Sequence, residues 1–329
     1  MSTIRVAING FGRIGRSILR ALHTNRKDTG VEVVLINDIA SLETCAYLFE
    51  FDSAFGVFPG AVSTRKDALV VDQTVIPFSG MTSVDQLDLS GVDVLLDCTG
   101  MAKTRDLAEQ GLRAGAGAVL ISGPSAAADF TVVLGANDEG LQGHRIVSNA
   151  SCTTNALAPL LALLDLRFGV DSGHMTTIHC YTNSQPTIDT PRGDPARSRA
   201  AALSMVPTTT SATKLIDQVL PHLSGRITGA AVRVPTASVS AVDLIVRLAS
   251  PPADLIPALR EMALTSPVLG WTDKPLVSSD LRSRPESLIL AGPEIFAGPD
   301  FIRIFGWYDN EWGFSNRMID VALSMGQAT

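Results

Sequence analysis

The sequence predicts two successive folds in one chain: an α/β half with a parallel, doubly wound sheet, then an α+β half with a mostly antiparallel sheet. Three observations carry this. Short β-branched runs alternate with helix-period segments up to about residue 150, the order that builds parallel βαβ units. Beyond that point, long strand-like runs follow one another with few helices between them. The length, 329 residues, is long for a single core and suits two domains. The expected division is 1–150 and 151–315, with segment 316–329, the bulk of the amphipathic end that opens with "SNRMIDVALSM" at Ser315, packing back on the first domain.

Taken in order, "IRVAI" from Ile4 reads as a strand, and "SILRALHTN" continues a helix with apolar residues at Ile14, Ile18, Leu19 and Leu22. "VEVVLINDI" is a β-branched run suited to a strand buried on both faces. "LETCAYLFEF" reads as a helix, "ALVVDQTVIPF" as a hairpin, "VDVLLDCTG" as a buried strand, and "TRDLAEQGLRAG" as a helix ending in glycine. "GAVLISGPS" and "FTVVLGAN" read as strands. An apolar helix follows Cys152. The strands "HMTTIHCYT", "RITGAAVRVPT", "SAVDLIVRLA" and "DFIRIFGWYD" come next, with one helix, "PADLIPALREMALTSP", among them. Gln185 to Arg199 is polar, proline-rich and aperiodic, a long loop of the kind that serves function or an interface.

The net charge of -7 argues against a general nucleic-acid binder, because phosphate backbones need a basic surface. The four cysteines form no CxxC pair, and no His/Cys spacing resembles a zinc site, so no metal is expected. No apolar leader opens the chain, and the most apolar stretch, Ala156 to Leu164, is too short to span a bilayer. A soluble, reduced, cytoplasmic protein without membrane contact is the expectation.

Gly10-Phe11-Gly12-Arg13-Ile14-Gly15 fits G-x-G-x-x-G, and it follows a strand and opens a helix, the context in which the pattern signals a dinucleotide. Gly10 makes the tight turn, Gly12 lets the backbone approach a pyrophosphate, and Gly15 permits close helix–strand packing. The second strand ends in Asn37-Asp38. A carboxylate there accepts from the ribose hydroxyls and repels a 2′-phosphate, which favours NAD over NADP. The first domain is therefore expected to be Rossmann-type. Thr99 and Gly100 in "CTG", and Ser122 in "ISG", each follow a buried strand and would line the same sheet edge. Each alone is as readily a plain turn.

Cys152 sits at the edge of its apolar run, not inside it. Ser151 or a neighbour would cap the helix there. The dipole and free N–H groups would lower the thiol pKa, and His179, at the end of a strand, is the candidate base. Such a pair would give a thiolate at neutral pH. Beside a nicotinamide, a thiolate suggests an aldehyde oxidised through a thioester. The other histidines and cysteines read as surface or packing residues. Arg233 lies inside the strand "AAVRVPT", where charge is costly unless it meets an anion. Arg197 and Arg199, with Thr182 and the hydroxyls of "PTTTS", could bind phosphate groups. Either loop arginine could equally form a surface ion pair.

The motifs "INGFGRIGR", "SNASCTTN", "MTTIH" with "YTN", "RAAALSMVPTTT", "VRVPT" and "WYDNEWGFSNRM" together resemble the phosphorylating glyceraldehyde-3-phosphate dehydrogenase family, in family order and over almost the whole chain. The resemblance implies oxidation of glyceraldehyde 3-phosphate with NAD, in glycolysis or gluconeogenesis. Cys152 would form a hemithioacetal and then a thioester, and inorganic phosphate would release 1,3-bisphosphoglycerate. His179 would be the base, and the Cys152 N–H would support the oxyanion. One phosphate site would use Thr182, Arg197 and Arg233; the other Ser151, Thr153, Thr210, Ser211 and Arg233. Asn310 would hold the nicotinamide amide, and Arg13 and Ile14 would lie over the pyrophosphate. The long loop would reach a neighbouring subunit in a homotetramer. The chain departs from the family's usual residues at Ser184, Ser211 and Ala156, where Asp, Gly and a second Cys are common. The alternatives are erythrose-4-phosphate dehydrogenase, which hydrolyses its thioester with water, and a paralogue with a binding or regulatory role.

Overall fold

A computed structural model describes residues 3–327; the first and last residues of the expected spans, 1–2 and 328–329, lie outside it. Two compact units emerge. One runs from the N-terminus through Val132 and adds Glu139–Ala150 and the chain from Phe314 onward; the other comprises Val133–Asp138 and Ser151–Gly313.

The first unit is a nine-stranded sheet with a Rossmann-type core. Ile4–Asn9 lies in the middle, paired in parallel with Val31–Asn37 on one side and Val94–Asp97 on the other. Ala118–Ile121 and Ile146–Ser148 extend the parallel set. On the far side Thr74–Ser79 joins Val31–Asn37 in parallel and then turns antiparallel onto Ala68–Val71, the hairpin the sequence suggests. The chain fills one side of Ile4–Asn9 first and the other later. That reversal is a topological switch point, the place where such sheets bind ligands at their carboxyl edge. Val94–Asp97 and Ala118–Ile121 are buried throughout, which is why they read as continuous apolar runs without alternation.

The helix Arg13–His23 follows the glycine turn. Gly10 has φ +91, and a Cβ on it would meet the Thr99 backbone nitrogen at 2.8 Å. A Cβ on Gly15 would stand 2.3 Å from the Gly10 carbonyl oxygen. The turn therefore closes only with glycine at both positions. The last helix, Trp312–Gly326, docks on this unit from Phe314 on. Arg26 pairs there with Asp320, and Gly326 fits against Ile4 only because it lacks a side chain. The helix starts at Trp312, ahead of the expected 316, because the Asp309 carboxylate accepts the Glu311 and Trp312 N–H groups and so caps it.

The second unit holds an eight-stranded sheet in which Ile227–Val234, Val170–Cys180, Ser240–Leu248 and Ile302–Tyr308 are successive neighbours. It is mostly antiparallel, but Val170–Cys180 and Ile227–Val234 run parallel. Their connection carries the helix Ala212–Val219, which the sequence reading lacked. "FTVVLGAN" also differs from expectation, since only Phe130–Thr131 is strand. The Val133 N–H turns to Asn137 Oδ1, and the Val133 carbonyl accepts from Ala136 and Asn137, which makes a turn.

The helix Cys152–Phe168 is buried on nearly all sides from Thr153 to Leu161. It packs on Val170–Cys180, Ser240–Leu248 and Ala212–Val219. Leu157, Leu160, Leu161 and Leu164 are fully buried, each contributing ~1.5–3 kcal/mol relative to exposure. That anchors the residue at the helix start. Gly169, at φ 69, ends the helix. No helix among the described residues is long and apolar enough to cross a membrane.

Candidate active site

In the first unit the carboxyl ends of the central strands are tied together by a polar ladder. Asn9 donates to Asp97 (3.1 Å), Asn37 donates to Asn9 (2.9 Å), and the Met81 N–H donates to Asn37 (2.9 Å). Above this edge, Asp38 accepts from the Phe11 N–H at 2.6 Å and from the Ala40 N–H at 2.8 Å. The glycine turn thus fixes the carboxylate's orientation, while its remaining lone pairs can still accept from ribose hydroxyls. Space beside Gly12 is open, since a Cβ there would meet nothing within 4 Å, and no side chain caps its helix. An uncapped helix start with room at the backbone fits a dinucleotide's pyrophosphate. Arg13 is anchored by Asp52 and lies over the Phe55 ring; Ile14 is half-buried beside it. Thr99 and Gly100 are exposed at the edge, with the Thr99 hydroxyl donating to Asp97 at 2.7 Å. Ser122 is half-buried and its N–H donates to the Asp97 carbonyl at 2.9 Å.

In the second unit Ser151 caps the helix, its hydroxyl accepting from the Thr154 N–H at 3.1 Å. Cys152 is the first helical residue. Its Sγ lies 3.6 Å from His179 Nε2. His179 reaches it from the end of its strand, in register with Arg233 on the parallel neighbour. Its Nδ1 is 2.7 Å from the Cys180 carbonyl oxygen and 2.7 Å from Arg233 Nη1, and Nη1 donates to the same carbonyl at 2.9 Å. A guanidinium donates only to a bare nitrogen. Nδ1 therefore bonds either Arg233 or the carbonyl, not both: with Nδ1–H on the carbonyl, Arg233 hydrogen-bonds that carbonyl alone and Nε2 is bare toward Sγ, and this is the base form.

Burial and the Arg233 charge push the His179 pKa down to about 4. Burial pushes the Cys152 thiol up, against Thr153 hydrogen bonds and Arg233, which pull it down. The direction is opposite to the expected thiolate. Desolvation outweighs the helix start, so the resting pair is thiol and neutral imidazole.

Tyr308 underlies the pair. Its hydroxyl bonds Thr153 at 2.9 Å and Thr177 at 2.8 Å, and its ring stands edge-on to His179. The sequence reading missed Tyr308, although it lies two residues before Asn310 in a motif already singled out.

The expected phosphate residues are only partly assembled. Arg233 keeps guanidinium N–H groups with no acceptor among the described residues. Arg197 reaches Thr208 (2.6 Å) and Thr209 (3.4 Å). Thr182 bonds Ser184 at 2.9 Å, and neither arginine. The Thr153 hydroxyl is turned inward onto Tyr308, and Thr210 accepts from the Ala212 N–H at 3.1 Å. Ser211 is exposed at the start of that helix, with no side-chain cap bond. Arg199 forms a surface ion pair with Asp189. Asn310 is buried and accepts from Cys180 and Ser240. Ala156 is fully buried, and all four cysteines are free.

Comparison with known families agrees with both halves. Residues 4–105 match the glyceraldehyde 3-phosphate dehydrogenase NAD binding domain, and residues 151–310 match the C-terminal domain of the same family. The chain is 46% identical over 331 residues to a glyceraldehyde-3-phosphate dehydrogenase of Pseudomonas aeruginosa, covering 99% of each chain. It is 46% identical over 334 residues to that of Xanthobacter flavus, again 99% of each. With the protein of the same name from Zymomonas mobilis, identity is 43% over 335 residues, 98% of this chain and 99% of the relative. The chain belongs to the glyceraldehyde-3-phosphate dehydrogenase family, with NAD as its cofactor.

Proposed function

We propose that this chain oxidises glyceraldehyde 3-phosphate with NAD through a thioester on Cys152, and that inorganic phosphate takes the acyl group to give 1,3-bisphosphoglycerate. The observation that carries this is Cys152 Sγ at a helix start, 3.6 Å from a histidine nitrogen whose other nitrogen is held by a carbonyl.

The N-terminal unit is the NAD-binding domain. Gly10, Gly12 and Gly15 make room for the pyrophosphate, with Arg13 and Ile14 beside it. Asp38 takes the ribose, and Thr99, Gly100 and Ser122 line the edge. The unit beginning at Ser151 is catalytic, and its Asn310 donates to the nicotinamide amide. Bound NAD supplies the hydride acceptor. His179 Nε2 takes the thiol proton as Sγ bonds to the aldehyde carbon, and the alkoxide picks up a proton to give the hemithioacetal. The Cys152 N–H and the imidazolium steady the oxygen. His179 then removes the hydroxyl proton as the hydride departs, leaving the thioester. A phosphate oxygen attacks the acyl carbon, and Sγ leaves as thiolate and is reprotonated. Arg233 serves both phosphates, the substrate's with Thr182 and Arg197, the inorganic one with Ser151, Thr153, Thr210 and Ser211. Hydroxyls now turned to Tyr308 or to capping must reorient, or the adjacent backbone N–H groups serve instead.

The test is a rate comparison with NAD and NADP, each with and without inorganic phosphate. The expected result is NAD preference and a rate that saturates with phosphate. A rate indifferent to phosphate would point to hydrolysis by water and sink the phosphorylating reading.

Apolar side chains left exposed by and just after the long loop, Ile188, Leu203 and Met205, support assembly into a homotetramer. Light scattering should return four chain masses; a monomer overturns it. The four free thiols support a reducing, cytoplasmic setting.

A further inference from the structure

We propose that Cys180 and Ser240 are positioning residues that fix which end of the Asn310 amide faces the nicotinamide. The inference rests on Asn310 as the contact to the nicotinamide amide. Cys180 ends one strand, Ser240 begins its antiparallel neighbour, and Asn310 lies two residues past the end of the next strand over, Ile302–Tyr308. The antiparallel order places all three at one sheet edge. The Cys180 N–H donates to Ser240 Oγ at 3.2 Å. That hydroxyl, its oxygen engaged, donates its own proton to Asn310 Oδ1 at 3.3 Å. The Cys180 thiol donates to the same Oδ1 at 3.1 Å. Cys180 and Ser240 are each 1% exposed and Asn310 is 7% exposed, so water competes little for these bonds.

An amide oxygen has two lone pairs, and here both are claimed from within the protein. A 180° turn of the amide would exchange both bonds to Oδ1 for at best one N–H bond to the remaining Ser240 Oγ lone pair and a weak one to the Cys180 sulfur. The amide is therefore favoured with Oδ1 inward and Nδ2 outward. Among the described residues Nδ2 has no acceptor. A fixed pair of outward donors recognises a carbonyl oxygen, and the nicotinamide carboxamide carries one. Burial also pushes the Cys180 pKa up to about 12, so the thiol keeps the proton it donates.

The test is calorimetric titration of the full chain with NAD and with ADP-ribose, which lacks the pyridine ring. Cys180→Ala and Ser240→Ala are each expected to weaken NAD about three- to tenfold, the worth of one buried hydrogen bond, with ADP-ribose unchanged. Cys180→Ser, which restores a donor, should recover NAD affinity. If both alanine variants bind NAD as the parent does while Asn310→Ala weakens it, the positioning role falls and the Asn310 contact stands. Equal weakening of both ligands also overturns the proposal, since it marks general damage. If Asn310→Ala itself binds NAD normally, the underlying contact is wrong.

Discussion

Cys152→Ser is expected to abolish aldehyde-dependent NAD reduction, by at least about a thousandfold, while NAD still binds with near-parent affinity. The loss has two sources. A serine hydroxyl is far more basic than a thiol once deprotonated, so a neutral imidazole delivers almost no alkoxide. The thiol is far more acidic than the hydroxyl, and its proton has only the 3.6 Å between Sγ and Nε2 to cross. An oxygen ester is also a poorer acyl donor than a thioester, so the second half-reaction slows as well. NAD binding survives because neither the glycine turn and Asp38 nor Asn310 makes a hydrogen bond through Cys152. A stopped-flow single turnover monitored by NADH absorbance, paired with an NAD titration, reads both quantities. Retained turnover would refute the nucleophile, and lost NAD binding would show that the substitution acts on the fold.

What the sequence made legible follows how local each signal is. The glycine turn, Asp38 at a strand end and a capped helix opening at Cys152 each depend on a few consecutive residues, and each stands where expected. Sheet partners are not local. The runs around His179 and Arg233 both read as strands, but nothing in either says that they lie side by side and parallel, and that neighbouring is what brings Arg233 to Nδ1. The helix Ala212–Val219 is only 8 residues long, too short to outweigh the hydroxyl-rich stretch before it. The thiol's upward shift was illegible for a related reason. A helix start is visible in sequence, whereas desolvation depends on what packs around it. Tyr308, Cys180 and Ser240 look like ordinary strand residues, and only the assembled sheet edge gives them tasks.

His179→Asn is expected to slow the chemical step by about 10²- to 10⁴-fold near neutral pH and to change the shape of its pH dependence. In the parent the base must be neutral. Its pKa is lowered to about 4, so Nε2 stays unprotonated as pH falls until that value is approached. The single-turnover rate should therefore be nearly flat from about pH 6 to pH 8. Asparagine cannot take the proton, and the variant must wait for ionised thiolate. Burial raises the Cys152 pKa above its ordinary value, so the thiolate fraction is small at neutral pH and grows about tenfold per unit as pH rises toward that pKa. The rate of the variant should climb with it. Loss of the imidazole also removes the group that the Cys180 carbonyl holds beside Arg233, so substrate affinity is measured alongside to separate binding from chemistry. A variant with an unchanged rate, or a slow rate that does not rise with pH, would show that the thiol proton leaves by another route.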